Sequence, residues 1–230
     1  MTTMPPFYSR LAAAYVRGAI EPANKGLLDS LLLTTPLDEL DAAQYQALIQ
    51  IGSAQGLHLH RFKRTMGLAR VNKVLGILHS INPHEVLDIG SGRGAFLWPL
   101  LDAMPWLPVT VCDILPQRVT DIQRVAQGGV PNLHAVHANV ATMPFAASSF
   151  DVVTMLEVLE HIPDTRAALR GVFRVAKRFI IFSVPSRPDD NPEHLHLFDS
   201  QQLAALLYEI GASRVSFDHV PGHLIAIAKV

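Results

Sequence analysis

The stretch Val86–Phe96, VLDIGSGRGAF, constrains the fold more than any other part of this sequence. Four residues of strand character, Val86–Ile89, run into glycines at alternate positions, Gly90, Gly92 and Gly94, and then into an apolar helical pattern. Glycine lets such a turn take positive φ, and its missing Cβ lets a ligand lie on the backbone at the helix start. This is a nucleotide-type binding loop. Gly90, Gly92 and Ala95 also satisfy the dinucleotide pattern G-x-G-x-x-G/A, so the glycines alone do not name the ligand. Asp88 separates the two cases, because a carboxylate at the strand end repels a diphosphate and attracts a cation. Asp113 ends the next strand-like run, VTVCD, 19 residues beyond Gly94, where an acid can bind the two hydroxyls of a ribose.

From Val86 onward strand and helix patterns alternate, which implies a parallel sheet with helices on both faces. Strands are expected at 86–89, 109–112, 133–136, 151–156, 178–184, 214–218 and 223–229, with helices near 94–103, 116–127, 164–176 and 200–210. Pro221 and Gly222 leave too few residues between the last two strands for a parallel crossover, so the final strand must be antiparallel. The expected fold is α/β: a Rossmann-like, seven-stranded, mostly parallel sheet with an antiparallel last strand, plus an N-terminal helical subdomain. Residues 1–80 form that subdomain and 81–230 the sheet domain.

Within residues 1–80, Phe7, Leu11, Tyr15 and Gly18 recur at helical spacing, and Leu27, Leu28, Leu31 and Leu32 repeat it. Thr35, Pro36 and Asp38 suit the cap, first turn and box partner of a following helix. Gly52 and Gly56 are expected to break that helix after Ile51. A further helix from about Leu57 to Ser80 carries Phe62, Met66, Ala69, Lys73 and Ile77 on one face. It also carries the densest positive charge, Arg61, Lys63, Arg64, Arg70 and Lys73, which reads first as a solvated face and second as a contact for a nucleic-acid backbone.

The composition, 49% hydrophobic and 17% charged with a net charge of −1, describes a globular chain with no global field favouring nucleic acid or an anionic membrane. Charged residues, His or Pro interrupt every apolar run before it could span a bilayer. The apolar stretch Leu11–Val16 lacks a secretory core or cleavage site. The one cysteine, Cys112, falls inside a strand and suits a reducing compartment, so a cytoplasmic location is expected. Trp98 and Trp106 are read as packing against the sheet, and His58 and His60 as partly exposed. His219 and His223 flank the Pro221–Gly222 turn, at the edge where open α/β sheets bind ligands.

The string LDIGSGRG resembles motif I of the class I S-adenosylmethionine-dependent methyltransferases, in particular the type 11-like group. The resemblance covers about residues 84–229, with HANVATMPF and FDVV similar to the family's third and fourth motifs and the antiparallel last strand matching its sheet. It implies cofactor contacts from Asp88, Gly90, Ser91, Gly92, Gly94, Asp113, Ile114, Asn139, Val140 and Glu157. Asn139 stands where the family usually has an aspartate at the adenine amino group, and an amide oxygen can accept the same bond.

Methyl transfer from a sulfonium leaves the protein to align and deprotonate the acceptor. Glu157, Glu160 and His161 of EVLEHIPD follow strand 151–156 and would share a face if a helix began there. They are the candidate catalytic groups. With His194 and His196 from the loop after the next strand, they could also form a divalent-metal site of O and N ligands, the set favoured if a metal binds being Glu157, Glu160, His161 and His196. The string E-x-x-E-H resembles small-RNA 2′-O-methyltransferases and ubiquinone-biosynthesis O-methyltransferases, whose acids and histidines bind a metal. A metal-free arrangement with His161 as base is preferred here. The expected activity is O-methylation of a small-molecule hydroxyl; RNA 2′-O-methylation and a non-catalytic cofactor-binding partner subunit are the alternatives. The acceptor and the oligomeric state are not legible.

Overall fold

The computed structural model describes residues 7–20, 30–64, 67–188 and 190–230. Seven strands form one sheet in the order β3-β2-β1-β4-β5-β7-β6: β1 Val86–Ile89, β2 Val109–Asp113, β3 Leu133–His137, β4 Phe150–Leu156, β5 Ala176–Pro185, β6 Arg214–Val220 and β7 His223–Lys229. Pairings from β3 to β5 are parallel, and β7 runs antiparallel to both β5 and β6. The fold class expected from the sequence is the one observed.

Side chains alternate across the strands and so divide the core in two. Val86, Val109, Val111, Val152 and Ile181 face one side, beneath α4 (Ala69–Ile81), α5 (Leu97–Ala103) and α6 (Pro116–Gln127). Leu87, Ile89, Val153, Met155, Ile180 and Phe182 face the other, beneath α7 (Thr165–Val175) and α8 (Ser200–Ile210). Asp164 caps α7, while Asp199 and Gln202 form a reciprocal capping box on α8.

The N-terminal helices are α1 (Ser9–Ala19), α2 (Ser30–Thr34) and α3 (Ala42–Ala54), and they share the first of these cores. Contact between α1 and α6 is backbone to backbone. A Cβ on Gly18 would stand 2.0 Å from the Arg124 carbonyl oxygen, and one on Gly128 only 1.7 Å from that of Ala14. Buried Ala12, Ala13 and Ala14 permit the same close approach. A row of aromatic contacts, Tyr15 to Phe62 and Phe62 to Trp98, then joins α1 to α5 at centroid distances of 5.3 and 4.9 Å.

Several local expectations are corrected. The helix expected over 57–80 is a single 3-10 turn, Leu59–Phe62, followed by α4, because Lys63 leaves helical geometry to form an antiparallel bridge with Phe7. Gly52 does not end α3. It lies inside the helix where Val16 packs, 2.4 Å from where a Cβ would stand, and α3 continues to Ala54. The cap of α3 is Asp41, in a capping box with Gln44, whereas Leu37–Glu39 after Pro36 make one 3-10 turn. Trp98 is buried as expected, but Trp106 is 66% exposed in the connection between α5 and β2. Leu27, Leu28 and Met66 lie outside the described residues.

The glycine contact gives a stability test. Gly128→Ala should destabilise the protein by about 2 kcal/mol or more, since the new methyl meets backbone that cannot rotate away. Gly76→Ala, in α4 with open space around it, should stabilise by about 0.5–1 kcal/mol. Urea midpoints of the two variants should therefore move in opposite directions.

Candidate functional site

The turn after β1 is held by polar groups buried among apolar strands. Asp88 is 2% exposed; one oxygen accepts from Thr154 Oγ1 at 2.7 Å and the other from the Ser91 hydroxyl. Thr154 reaches it because the β1–β4 register sets the two residues side by side. Burial outweighs these two bonds, and with the neighbouring Asp113 charge it pushes the Asp88 carboxyl up to about 6 from its ordinary 3.8. Gly90 and Gly92 take φ of +70° and +58°, as their type permits. The Gly90 N–H bonds Cys112 O at 2.8 Å and thereby ties the turn to β2.

Asp113, at the end of β2, faces the same turn. Its carboxylate accepts from the Gly92 N–H at 3.2 Å and the Leu115 N–H at 2.9 Å, with Arg118 3.8 Å away. A Cβ on Gly92 would find only Arg118 Nη1 at 3.6 Å and Gly90 O at 3.8 Å, so the space above the turn is open. Ile114 is 60% exposed and Leu115 44%, an apolar ledge next to a buried carboxylate. Asn139 Oδ1 accepts from the Ala141 N–H at 2.9 Å and caps the 3-10 turn Val140–Thr142, and Gly171 of α7 lies so close that a Cβ would stand 2.3 Å from Val140 O. An acid for ribose hydroxyls, an apolar ledge for a base and an open cradle over glycine are a donor set that fits S-adenosylmethionine.

Beyond β4 the structure separates residues that the sequence reading placed on one face. Glu157 has φ +56°, so no helix begins there; a 3-10 turn follows at Leu159–His161. Glu157 turns towards β5 and β7, where it meets Ser183 Oγ at 2.6 Å and His223 Nε2 at 3.0 Å, with Arg70 Nε at 3.8 Å. Glu160 is fully buried, and its ligand oxygen lies within 4.8 Å of ring nitrogens of His161 and His194. The His161 and His194 rings meet edge to face, 4.8 Å between centroids. The expected metal set is thus corrected: Glu157 is engaged elsewhere, and His196 Nε2 bonds Ile162 O at 3.0 Å. Of the two histidines expected from this loop, His194 is the one that joins Glu160 and His161, because the segment after β5 docks on the turn through Leu195 N and His196 N, both bonded to Glu160 O.

Thr154 and Ser183 were not singled out from sequence, and Arg70 was noted only as part of a charge run. For the first two the signal was available: each is a polar residue within an apolar part of its strand, in VVTML and FIIFSVP. Four of the five basic residues of that run pair within the chain. Arg61 pairs with Asp121, Arg64 with Asp102 and Lys73 with Asp218, in addition to Arg70 with Glu157.

The raised Asp88 value has a sign that can be measured. A folded-state value above the ordinary one means that ionised Asp88 destabilises the fold: the penalty is absent below about pH 4 and complete above about pH 6. Two pH units at ~1.4 kcal/mol each bound it at about 3 kcal/mol. Asp88→Asn should therefore raise the melting temperature of ligand-free protein at pH 8, and the gain should shrink towards pH 5.

Residues 86–178 match the model of a family described as a methyltransferase domain. Among curated proteins, the ubiquinone/menaquinone biosynthesis C-methyltransferase of Rhizobium meliloti is 28% identical over 203 residues, covering 70% of this chain and 78% of that protein. The ubiquinone biosynthesis O-methyltransferase of Pseudomonas fluorescens is 32% identical over 120 residues; the match spans 44% of this chain and 49% of the relative. Among solved structures, a SAM-dependent methyltransferase from Aquifex aeolicus superposes with TM-score 0.58 at 17% identity, covering 70% of this chain and 97% of its own. The methyltransferase domain of bacterial CtHen1-C does so with TM-score 0.59 at 17% identity, covering 70% and 96%. Within the described residues no helix is long and apolar enough to cross a membrane. Motif order, sheet topology and relatives agree, and together they support a class I S-adenosylmethionine-dependent methyltransferase.

Proposed function

We propose that this methyltransferase transfers the methyl group of S-adenosylmethionine to a hydroxyl of a small molecule. In this reading Asp113 takes the ribose hydroxyls, Ile114 and Leu115 lie against the adenine, and Asn139 and Val140 meet its edge. Gly90, Ser91, Gly92 and Gly94 form the turn on which the rest of the cofactor lies, beside the charge of Asp88. The curated relatives named for quinone biosynthesis support a small acceptor. Internal pairing of Arg61, Arg64, Arg70 and Lys73 withdraws the feature that favoured RNA.

The observation that carries O-methylation is the Glu160–His161–His194 cluster beyond β4. Forming a C–O bond from a hydroxyl releases a proton, and a positioned imidazole can take it. His161 Nδ1 lies 2.9 Å from Glu193 O, which can only accept, so a neutral ring that donates there presents the lone pair of Nε2. The same tautomer suits a metal ligand. If a divalent ion binds, Glu160, His161 and His194 would hold it, and it would lower the pKa of the acceptor hydroxyl. The metal-free arrangement, with His161 as base, is the reading adopted here.

Three measurements test it. Asp113→Ala should weaken S-adenosylmethionine binding by roughly tenfold or more in calorimetry, because charge-assisted bonds are lost; near-wild-type affinity in a folded variant removes Asp113 from the site. His161→Ala should lower kcat by about 10²-fold or more. Turnover to S-adenosylhomocysteine with phenolic and alcoholic acceptors should survive exhaustive chelation. Activity lost to a chelator and restored by Mg²⁺ or Mn²⁺ would assign the cluster to an ion, and a carbon-methylated product would overturn O-transfer.

A further inference from the structure

His223 begins β7, opposite Pro185 at the end of β5, and its ring is half-buried. The preceding turn holds it in place: Gly222 has φ +82° and its carbonyl accepts from Ser186 N at 3.0 Å, while His223 Nδ1 lies 3.2 Å from Pro221 O. Its Nε2 is 3.0 Å from Glu157 Oε2. The second oxygen of Glu157 accepts from Ser183 Oγ at 2.6 Å, and the Glu157 N–H donates to Ser183 O at 2.8 Å. Glu157 is one of few non-glycine residues described with positive φ, a conformation that persists only where its surroundings hold it and that concentrates at functional sites. Next in sequence, Val158 packs against Gly90 of the cofactor turn, 2.5 Å from where a Cβ would stand. A carboxylate fixed from β5 and β7, with Arg70 approaching from α4, is thus set at the rim of the cofactor site.

We infer that His223 is a positioning residue for methyl transfer: with Ser183 it holds the Glu157 carboxylate so that this group accepts a hydrogen bond from the acceptor molecule. A carboxylate has about four lone-pair sites, and Ser183 and His223 occupy two of them. The rest lie on a side chain 23% exposed. Glu157 receives no proton in this scheme. It orients the hydroxyl, while the leaving proton goes to the base, the methyl–sulfur bond breaks and the new oxygen–carbon bond forms. This rests on the hydroxyl-acceptor reading above, and its first test is independent of turnover.

In ligand-free protein, imidazole NMR should show a protected Nε2–H for His223 that Glu157→Ala removes; a rapidly exchanging Nε2–H in wild type would overturn the contact. In steady-state kinetics, His223→Ala should lower kcat/KM for the methyl acceptor by about tenfold or more while leaving S-adenosylmethionine affinity within about twofold of wild type. His223→Gln, whose amide N–H can stand in for Nε2–H, should recover most of the loss. The effects of Glu157→Ala and His223→Ala should be strongly sub-additive when combined, because one removes what the other positions. Additive losses, equal loss in the Ala and Gln variants, or a parallel loss of cofactor affinity would each make His223 structural or cofactor-directed and overturn the inference. A wild-type protein with the protected Nε2–H but no transfer to any hydroxyl would instead count against the hydroxyl-acceptor reading.

Discussion

The burial of one carboxylate organises the ligand end of this sheet. Asp88 is buried, and its ties to Thr154 on β4 and to Ser91 in the following turn join two central strands to the glycine loop. The same turn receives Asp113 from β2 through the Gly92 N–H, so two carboxylates converge with Arg118 as the nearest cation, 3.8 Å from one of them. The Asp113 charge disfavours ionisation of Asp88, and the Asp88 value shows that hydrogen bonds do not cancel the cost of burial. A cationic ligand relieves such a site, whereas a diphosphate would add to the repulsion. The electrostatics that separated a sulfonium cofactor from a dinucleotide in the sequence therefore have a structural counterpart, with one difference: Asp88 acts through the shape of the loop as well as through its charge.

Past β4, backbone conformation decides which residues can cooperate. Spacing in EVLEHIPD suggested one helical face bearing two acids and a histidine. The left-handed backbone of Glu157 removes that face, and the following 3-10 turn sends Glu160 inwards under the segment 193–196. The two carboxylates thus never share a site. One joins Ser183 and His223, the other His161 and His194.

Strands, their order of appearance and the antiparallel end were legible because alternation and the Pro221–Gly222 turn are local signals. So was the turn after β1, whose glycines and flanking acids lie close together in the chain. What could not be read depended on partners distant in sequence. Thr154 matters because register sets it beside Asp88, and Gly52 stays inside a helix because Val16 comes from another one. Lys63 leaves helical geometry for a bridge to Phe7, 56 positions earlier in the chain. The basic run read as a solvated or nucleic-acid face because its acidic partners, Asp102, Asp121, Glu157 and Asp218, arrive from four different parts of the sheet domain.

The antiparallel strand has a consequence for chemistry as well as for topology. In a purely parallel sheet the carboxyl edge receives only the ends of strands and the loops that leave them, and each new strand must enter from the opposite edge. Because β7 runs backwards, it enters at the carboxyl edge, and its first residue is set directly against the end of β5. His223 reaches Glu157 for that reason, held by a tight turn rather than a long loop. The hairpin that closes the sheet thereby delivers an imidazole to Glu157, whose neighbour Val158 packs on Gly90 of the glycine turn, from the part of the chain farthest in sequence from that turn.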